Sequence, residues 1–266
     1  MHEKQFLGFR LGLLGAGRLG ETIAKTWFRR TGEVPLVWSR SGASANGVPR
    51  IPDSVWVDDW TKVLQARSII IALPGKALLE LAEVNEQARN FEGIVFSAAA
   101  SLSLESLRRV FPMATVVCIA PFLIDGRNSI PTLVLRSPHL QDSQWDTATA
   151  ELKTLGDIDV VYDEELFAQM SLLGASWPVI VVAAIQAACE IGMKGLDDER
   201  AIGIARHVFF RAMQTLLSNS THEPAASHVA TPGGITERGL NHIGELSRLF
   251  ECAFAEMRTR AKELNV

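Results

Sequence analysis

Three glycines in the stretch "GLLGAGRLG", Gly15, Gly17 and Gly20, have the spacing at which a strand can turn into a helix around a phosphate. In such a turn Gly15 permits the tight bend, Gly17 lets a pyrophosphate approach the backbone, and Gly20 lets helix and strand pack closely. Ala16, Arg18 and Leu19 complete the loop. Free N–H groups at the helix start would hold the anion. The spacing alone is a weak signal, and an ordinary glycine-rich turn is the alternative. Its weight comes from lying after an apolar run and before a helical one.

About twenty residues on, a second apolar run ends "VWSRSGAS". A site that prefers NAD places Asp or Glu there to bind ribose hydroxyls. No acid occurs between Glu33 and Asp53. Ser39, Arg40 and Ser41 instead offer two hydroxyls and a guanidinium whose planar fork suits a 2′-phosphate. The cofactor implied is NADP(H), unless Arg40 is only a solvated loop residue.

A third stretch, "HVATPGGITERGL", interrupts a region that otherwise reads as helix after helix. Pro232 fixes the entry to a turn, Gly233 and Gly234 clear side chains from the backbone, and a helix resumes near Thr236 with unpaired amides. That is a seat for a carboxylate, with the Thr236 hydroxyl as a further donor. A helix–helix turn capped by threonine is the other reading. His228, just upstream, titrates near neutrality and could donate a proton or bind an acidic substrate. A solvated or packed loop histidine fits the pattern equally. Ser176 is a second possible donor.

These groups need elements to position them. FRLGLLGAG, PLVWSR, SIIIALP, EGIVFSAAA, TVVCIAP and PTLVLRS read as strands, the earlier ones alternating with amphipathic helices such as ETIAKTWFRR. That alternation predicts α/β architecture: a Rossmann-type, doubly wound parallel sheet over residues 1–158. From about Asp142 the helical period takes over, predicting an all-α domain over residues 159–266 for dimerisation and substrate binding. The run from Thr236 to Leu264 carries Leu240, Ile243, Leu246, Leu249, Phe250, Ala253, Met257 and Ala261 as one apolar stripe, read as core packing. The most apolar run, Leu172 to Met193, is interrupted by Gly174, Ser176, Pro178, Gln186 and Glu190. It reads as a helix buried on nearly all sides, within the chain or in a subunit interface, rather than a membrane span.

With 266 residues and 47% hydrophobic content the chain can bury two modest cores. A formal charge of −4 and a pI near 5.9 supply no broad basic field, so nucleic acid and anionic membranes are not expected partners. A small molecule is. The start, MHEKQFLGFR, lacks a signal-peptide pattern, and a cytoplasmic location is expected. Cys118, Cys189 and Cys252 are too scattered for a disulfide framework, and no CxxC or Cys/His cluster suggests a metal.

The order of GAGRLG, SRS, SAAAS and TPGGIT along nearly the whole chain resembles pyrroline-5-carboxylate reductase, a family that makes proline by reducing a cyclic imine with NAD(P)H. The most specific element is TPGGIT, which in that family lies at the substrate carboxylate with a contribution from the partner subunit. The resemblance implies a homodimer or larger homo-oligomer. It adds Leu73, Pro74, Ala98 and Ala99 to the cofactor site, and Pro121, Phe122, Trp177, Thr231, Gly233, Gly234 and Thr236 to the substrate site.

Departures from the family fall where substrate would be held. Phe122 in "IAPFLIDG" replaces an asparagine, "GASWP" with Trp177 replaces Gly-Ser-Gly-Pro, and Leu73-Pro74 replaces Lys-Pro. The expected activity is therefore NADPH-dependent reduction of a cyclic imine or imino acid carrying a carboxylate. The alternatives are a bulkier imine or carbonyl substrate in secondary metabolism, or a regulatory module that binds NADP without turnover. β-Hydroxyacid dehydrogenases, which share the two-part plan, use a lysine and an asparagine four residues apart on the central helix. Neither residue type occurs between Met170 and Met193.

Overall fold

A computed structural model describes residues 8–42, 44, 45, 48, 49, 51, 53–83, 86–99, 102–122, 129–195, 198–218 and 234–264. The chain divides into two compact units, Met1–Ala175 with Thr259–Val266, and Ser176–Arg258.

The first unit is built on an eight-stranded sheet. Its strands are β1 (Leu11–Leu14), β2 (Leu36–Trp38), β5 (Val55–Trp56), β6 (Ser68–Ile71), β7 (Ile94–Ser97), β8 (Thr115–Pro121), β9 (Thr132–Leu135) and β10 (Ile158–Val161). Two short strands, β3 (Ser44–Ala45) and β4 (Val48–Pro49), pair separately. The order across the sheet is β10-β9-β8-β7-β6-β1-β2-β5. Within this sheet all pairings are parallel except β8 with β9. The six strands from β5 to β8 thus take the doubly wound order 3-2-1-4-5-6 of a Rossmann fold.

Burial follows from this topology. β1, β6, β7 and β9 are buried at every position, as strands covered on both faces must be. Side chains alternate between two cores. Ile69 and Ile71 of β6 join Leu78 of α2 (Gly75–Glu83) and Leu107 of α3 (Leu104–Val110) on one face. Ile70 joins Ile23 and Trp27 of α1 (Arg18–Thr31) and Ala148 and Leu152 of α4 (Asp142–Lys153) on the other.

Strand β10 pairs along its whole length with β9. The domain change expected at 158/159 therefore falls inside a strand, and the sheet unit runs on through α5 (Glu164–Ala175).

The second unit holds α6 (Trp177–Gly192), α7 (Glu199–Ser218), α8 (Ile235–Leu240) and α9 (Ile243–Leu264) up to Arg258. Two expectations are corrected here. The apolar run from Leu172 is not one helix, because the chain breaks at Ser176 and restarts with Pro178 in the first turn of α6. Proline is accommodated there because a first-turn amide needs no intrahelical acceptor. Nor is that run buried by its own chain: Val179 is 68% exposed and Ile191 75%. The run from Thr236 is likewise split, at Asn241 and His242. The Asn241 N–H still reaches the Glu237 carbonyl at 3.3 Å, and α9 begins afresh from the His242 carbonyl.

Candidate functional site

Register places the site. Leu14 pairs with both Trp38 and Ile71, Ile71 with Ser97, and Ser97 with Cys118. These five residues form one row across β2, β1, β6, β7 and β8, near the carboxyl ends of parallel strands. The predicted cofactor and cleft residues of this unit follow the row directly: Gly15 to Gly20 after β1, Ser39 to Ser41 after β2, Leu73 and Pro74 after β6, Ala98 and Ala99 after β7, and Pro121 and Phe122 at the end of β8. The chain leaves β1 for β2 on one side and returns to β6 on the other, so β1 and β6 flank the switch point where such sheets bind ligands.

The glycine turn has the geometry its spacing predicts. Gly15 adopts a φ of +106°, and its N–H donates to the Trp38 carbonyl at 2.8 Å. A Cβ on Gly15 would stand 2.6 Å from the Ala72 carbonyl oxygen. A Cβ on Gly20 would collide with the Gly15 carbonyl, so the third glycine is what lets α1 sit against the turn. Gly17 differs. A Cβ there would meet no protein atom within 4 Å and would fill the open approach to the helix start.

Gly17 caps α1 with no side-chain hydrogen bond, and the first helical bond runs from the Glu21 N–H to the Gly17 carbonyl at 2.9 Å. The amides of Arg18, Leu19 and Gly20 therefore precede the helical ladder, at the positive end of a 14-residue helix. Ala16 is buried and holds the turn to the core, while Arg18 is exposed. This cradle fits a pyrophosphate.

After β2, the Ser39 and Ser41 hydroxyls lie 3.2 Å apart. The Arg40 guanidinium lies 3.2 Å from Glu80 Oε2 on α2. Sequence spacing finds no acid near the end of β2, yet the fold supplies one from a helix forty positions away. No local signal marks it.

At the other strand ends, Leu73 is half-buried, Pro74 is exposed, and the Pro74 carbonyl accepts the Ala77 and Leu78 amides that open α2. Ala98 donates to the Ile71 carbonyl at 2.9 Å, and Ala99 is buried with its N–H on the Ser97 hydroxyl at 3.3 Å. Pro121 is half-buried and pairs with Thr132. The Phe122 N–H donates to the Pro131 carbonyl at 2.8 Å, and its ring packs beside the core and over Gly174 of α5. Gly174 is a second residue that spacing does not single out, because its partner lies more than fifty positions away.

Cys118 is buried in the same row. Burial, reinforced by the negative charge of Glu164, pushes its thiol up to about 12. It is a neutral core residue rather than a nucleophile.

In the second unit, Ser176 is exposed and caps α6 without a side-chain bond. Trp177 packs edge to face on Phe250 and Phe254, with ring centroids 5.5 and 5.4 Å away. Gly234 caps the six-residue α8 with no side-chain bond, and Thr236 in its first turn is exposed. His228, Thr231 and Gly233 lie outside the described residues. Among the described residues no three His, Cys, Asp or Glu side chains group as metal ligands.

Residues 164–264 match the family model described as pyrroline-5-carboxylate reductase dimerisation. Over 248 residues, 90% of each chain, the sequence is 21% identical to the pyrroline-5-carboxylate reductase of Aquifex aeolicus (strain VF5). Among solved structures, pyrroline carboxylate reductase of Plasmodium falciparum with NADP bound superposes with a TM-score of 0.75 at 12% identity, covering 97% of this chain and 99% of that one. A reductive aminase from Aspergillus terreus in complex with NADPH and ethyl-5-oxohexanoate gives a TM-score of 0.57 at 16% identity, covering 79% and 75%. At these identities the structural likeness establishes the fold.

Proposed function

We propose, from the premise that this chain is a member of the pyrroline-5-carboxylate reductase family, that it is an NADPH-dependent reductase of a cyclic imine or imino acid carrying a carboxylate. The observation that carries the reading is the glycine turn at the switch point of the sheet, joined in one chain to a helical segment that matches the family's dimerisation model. When bound, NADPH supplies the reducing equivalent to an electrophilic carbon.

The chain's own residues bind and orient. The amides of Arg18, Leu19 and Gly20 face a pyrophosphate across Gly17, and Ser39, Arg40 and Ser41 take the 2′-phosphate. Leu73, Pro74, Ala98 and Ala99 border the dinucleotide at the ends of β6 and β7. Thr231, Gly233, Gly234 and Thr236 are the residues that the resemblance assigns to the substrate and its carboxylate. A protonated imine is already electrophilic, so the protein's task is chiefly positioning. For a carbonyl substrate, His228, Ser176 or Thr236 would donate the proton.

The apolar residues left exposed on α6 by a single chain support a homodimer built through residues 164–264. The stretch Glu164–Gly192 is long and apolar enough to cross a membrane by length and composition. Its place inside the dimerisation match favours a subunit interface. Proline biosynthesis in the cytoplasm is the corresponding cellular role.

One variation on this reading is a bulkier imine or carbonyl substrate, because Phe122 and Trp177 stand where the resemblance places the substrate site. NADPH consumption measured across pyrroline and piperidine carboxylates, bulkier imines and keto esters tests both. Turnover of a carboxylated cyclic imine is the expected result. Turnover of bulky substrates alone selects the variation. NADPH binding with no turnover on the whole panel rejects a reductase and selects a non-catalytic NADP-binding module.

A further inference from the structure

The Arg40–Glu80 pair brings a cation and an anion together after the end of β2. Arg40 follows β2 and Glu80 lies on α2, which follows β6, so both belong to elements whose strands flank β1. Their charged ends are 3.2 Å apart, with 69% and 51% of the side chains exposed. A ligand can therefore reach both. We infer that Glu80 is a cofactor-specificity residue that opposes Arg40 at the adenine ribose.

The inference rests on Arg40 facing the 2′-phosphate. A phosphate reaching Arg40 must share the guanidinium with Glu80 and sit beside that carboxylate, so each NADPH bound weakens an ion pair and meets a like charge. A free ribose 2′-hydroxyl meets no such repulsion. It donates to the carboxylate in the way an acid at the end of the second strand serves NAD. Glu80 thus reaches the place left without an acid between Glu33 and Asp53, arriving from a different element. The protein is then a dual-cofactor binder whose preference for NADPH is held down by Glu80.

The test is direct titration of the full chain with NADPH and with NADH, followed by quenching of tryptophan fluorescence, for the unmutated protein, Glu80→Gln and Arg40→Ala. Thermal melts of each variant verify folding, and both positions are exposed enough to tolerate change. Glu80→Gln should raise the NADPH/NADH affinity ratio roughly two- to fivefold, the range set by an exposed ion pair, and 0.5 M salt should shrink that gain. An unchanged ratio in Glu80→Gln, with Arg40→Ala still weakening NADPH, overturns the role of Glu80 and leaves the cofactor assignment standing. Unchanged NADPH affinity in Arg40→Ala overturns both.

Discussion

The Phe122 ring occupies the space that a side chain on Gly174 would need: a Cβ built at Gly174 falls on the ring's Cε1 and Cζ atoms. One residue directly follows β8 and the other lies in a helix of the same unit, so each fixes what the other can be. Gly174→Ala should therefore lower stability by about 1–3 kcal/mol through overpacking. In a Phe122→Ala background the same Gly174→Ala substitution should cost little, because the ring it meets is gone. Thermal melts of the two single variants and the double variant measure the coupling, and additive losses would dissociate the pair.

Gly17 and Gly20 should separate binding from folding. Gly17→Ala places a methyl group in open space, so the melting temperature should stay near that of the parent while NADPH affinity falls at least about tenfold. Gly20→Ala drives a methyl group into the Gly15 carbonyl and should lower both. Calorimetric titration beside thermal unfolding reads the two effects, and an unaffected affinity in Gly17→Ala would remove the pyrophosphate from this turn.

Thr236→Val removes one hydroxyl at nearly constant volume. If it serves the carboxylate seat, the lost bond to a charged group should cost about 1.5–3 kcal/mol in kcat/KM with NADPH affinity unchanged. The loss should vanish for a decarboxylated imine. Equal losses for both substrates would make the turn a packing element.

Cys118 sets a limit on alkaline stability. The folded thiol loses its proton near pH 12, against an ordinary value of 9.0 in the unfolded chain. Between these values the unfolded state has released a proton that the folded state retains, so stability should fall as pH rises, by about 1.4 kcal/mol per unit from this group. Below pH 8 the group should contribute no slope. Denaturant midpoints at pH 8 and pH 10.5, for the parent and Cys118→Ala, isolate the contribution as the difference in slope.

Val179→Asp puts a charge on the exposed apolar surface of α6. Sedimentation at micromolar concentration should show a dimer for the parent and a shift towards monomer for the variant. A monomeric parent would contradict assembly through residues 164–264.

The parts of the fold legible in the sequence were those whose residues obey one local rule. LGLL, SIII and IVFS are near-continuous apolar runs because both faces of the sheet are covered, and the glycine spacing carries its turn within six residues. Of the eight strands of the main sheet, the two left unread, β5 and β10, are its edges. An edge strand pairs on one side only, so two residues suffice for β5, and β10 tolerates Asp159 in its middle. The site divides in the same way. Ser39, Arg40 and Ser41 are neighbours in sequence, so a single stretch proposes them together. Glu80 and Gly174 owe their places to pairings between distant elements, which no local spacing encodes.

The close fit of Gly15 under the Ala72 carbonyl also has a temporal side. Strand β1 lies between β2 and β6, and β6 is made more than fifty residues after it. A chain growing from its N-terminus can pair β1 with β2 early, yet the roof over the glycine turn arrives only with Ala72. Until then one edge of β1, apolar throughout, is open to any other strand. The order of synthesis therefore makes the nascent chain most prone to mispairing in the interval before residue 72 emerges, and a fragment ending short of that residue would carry the whole glycine motif with no site to show for it.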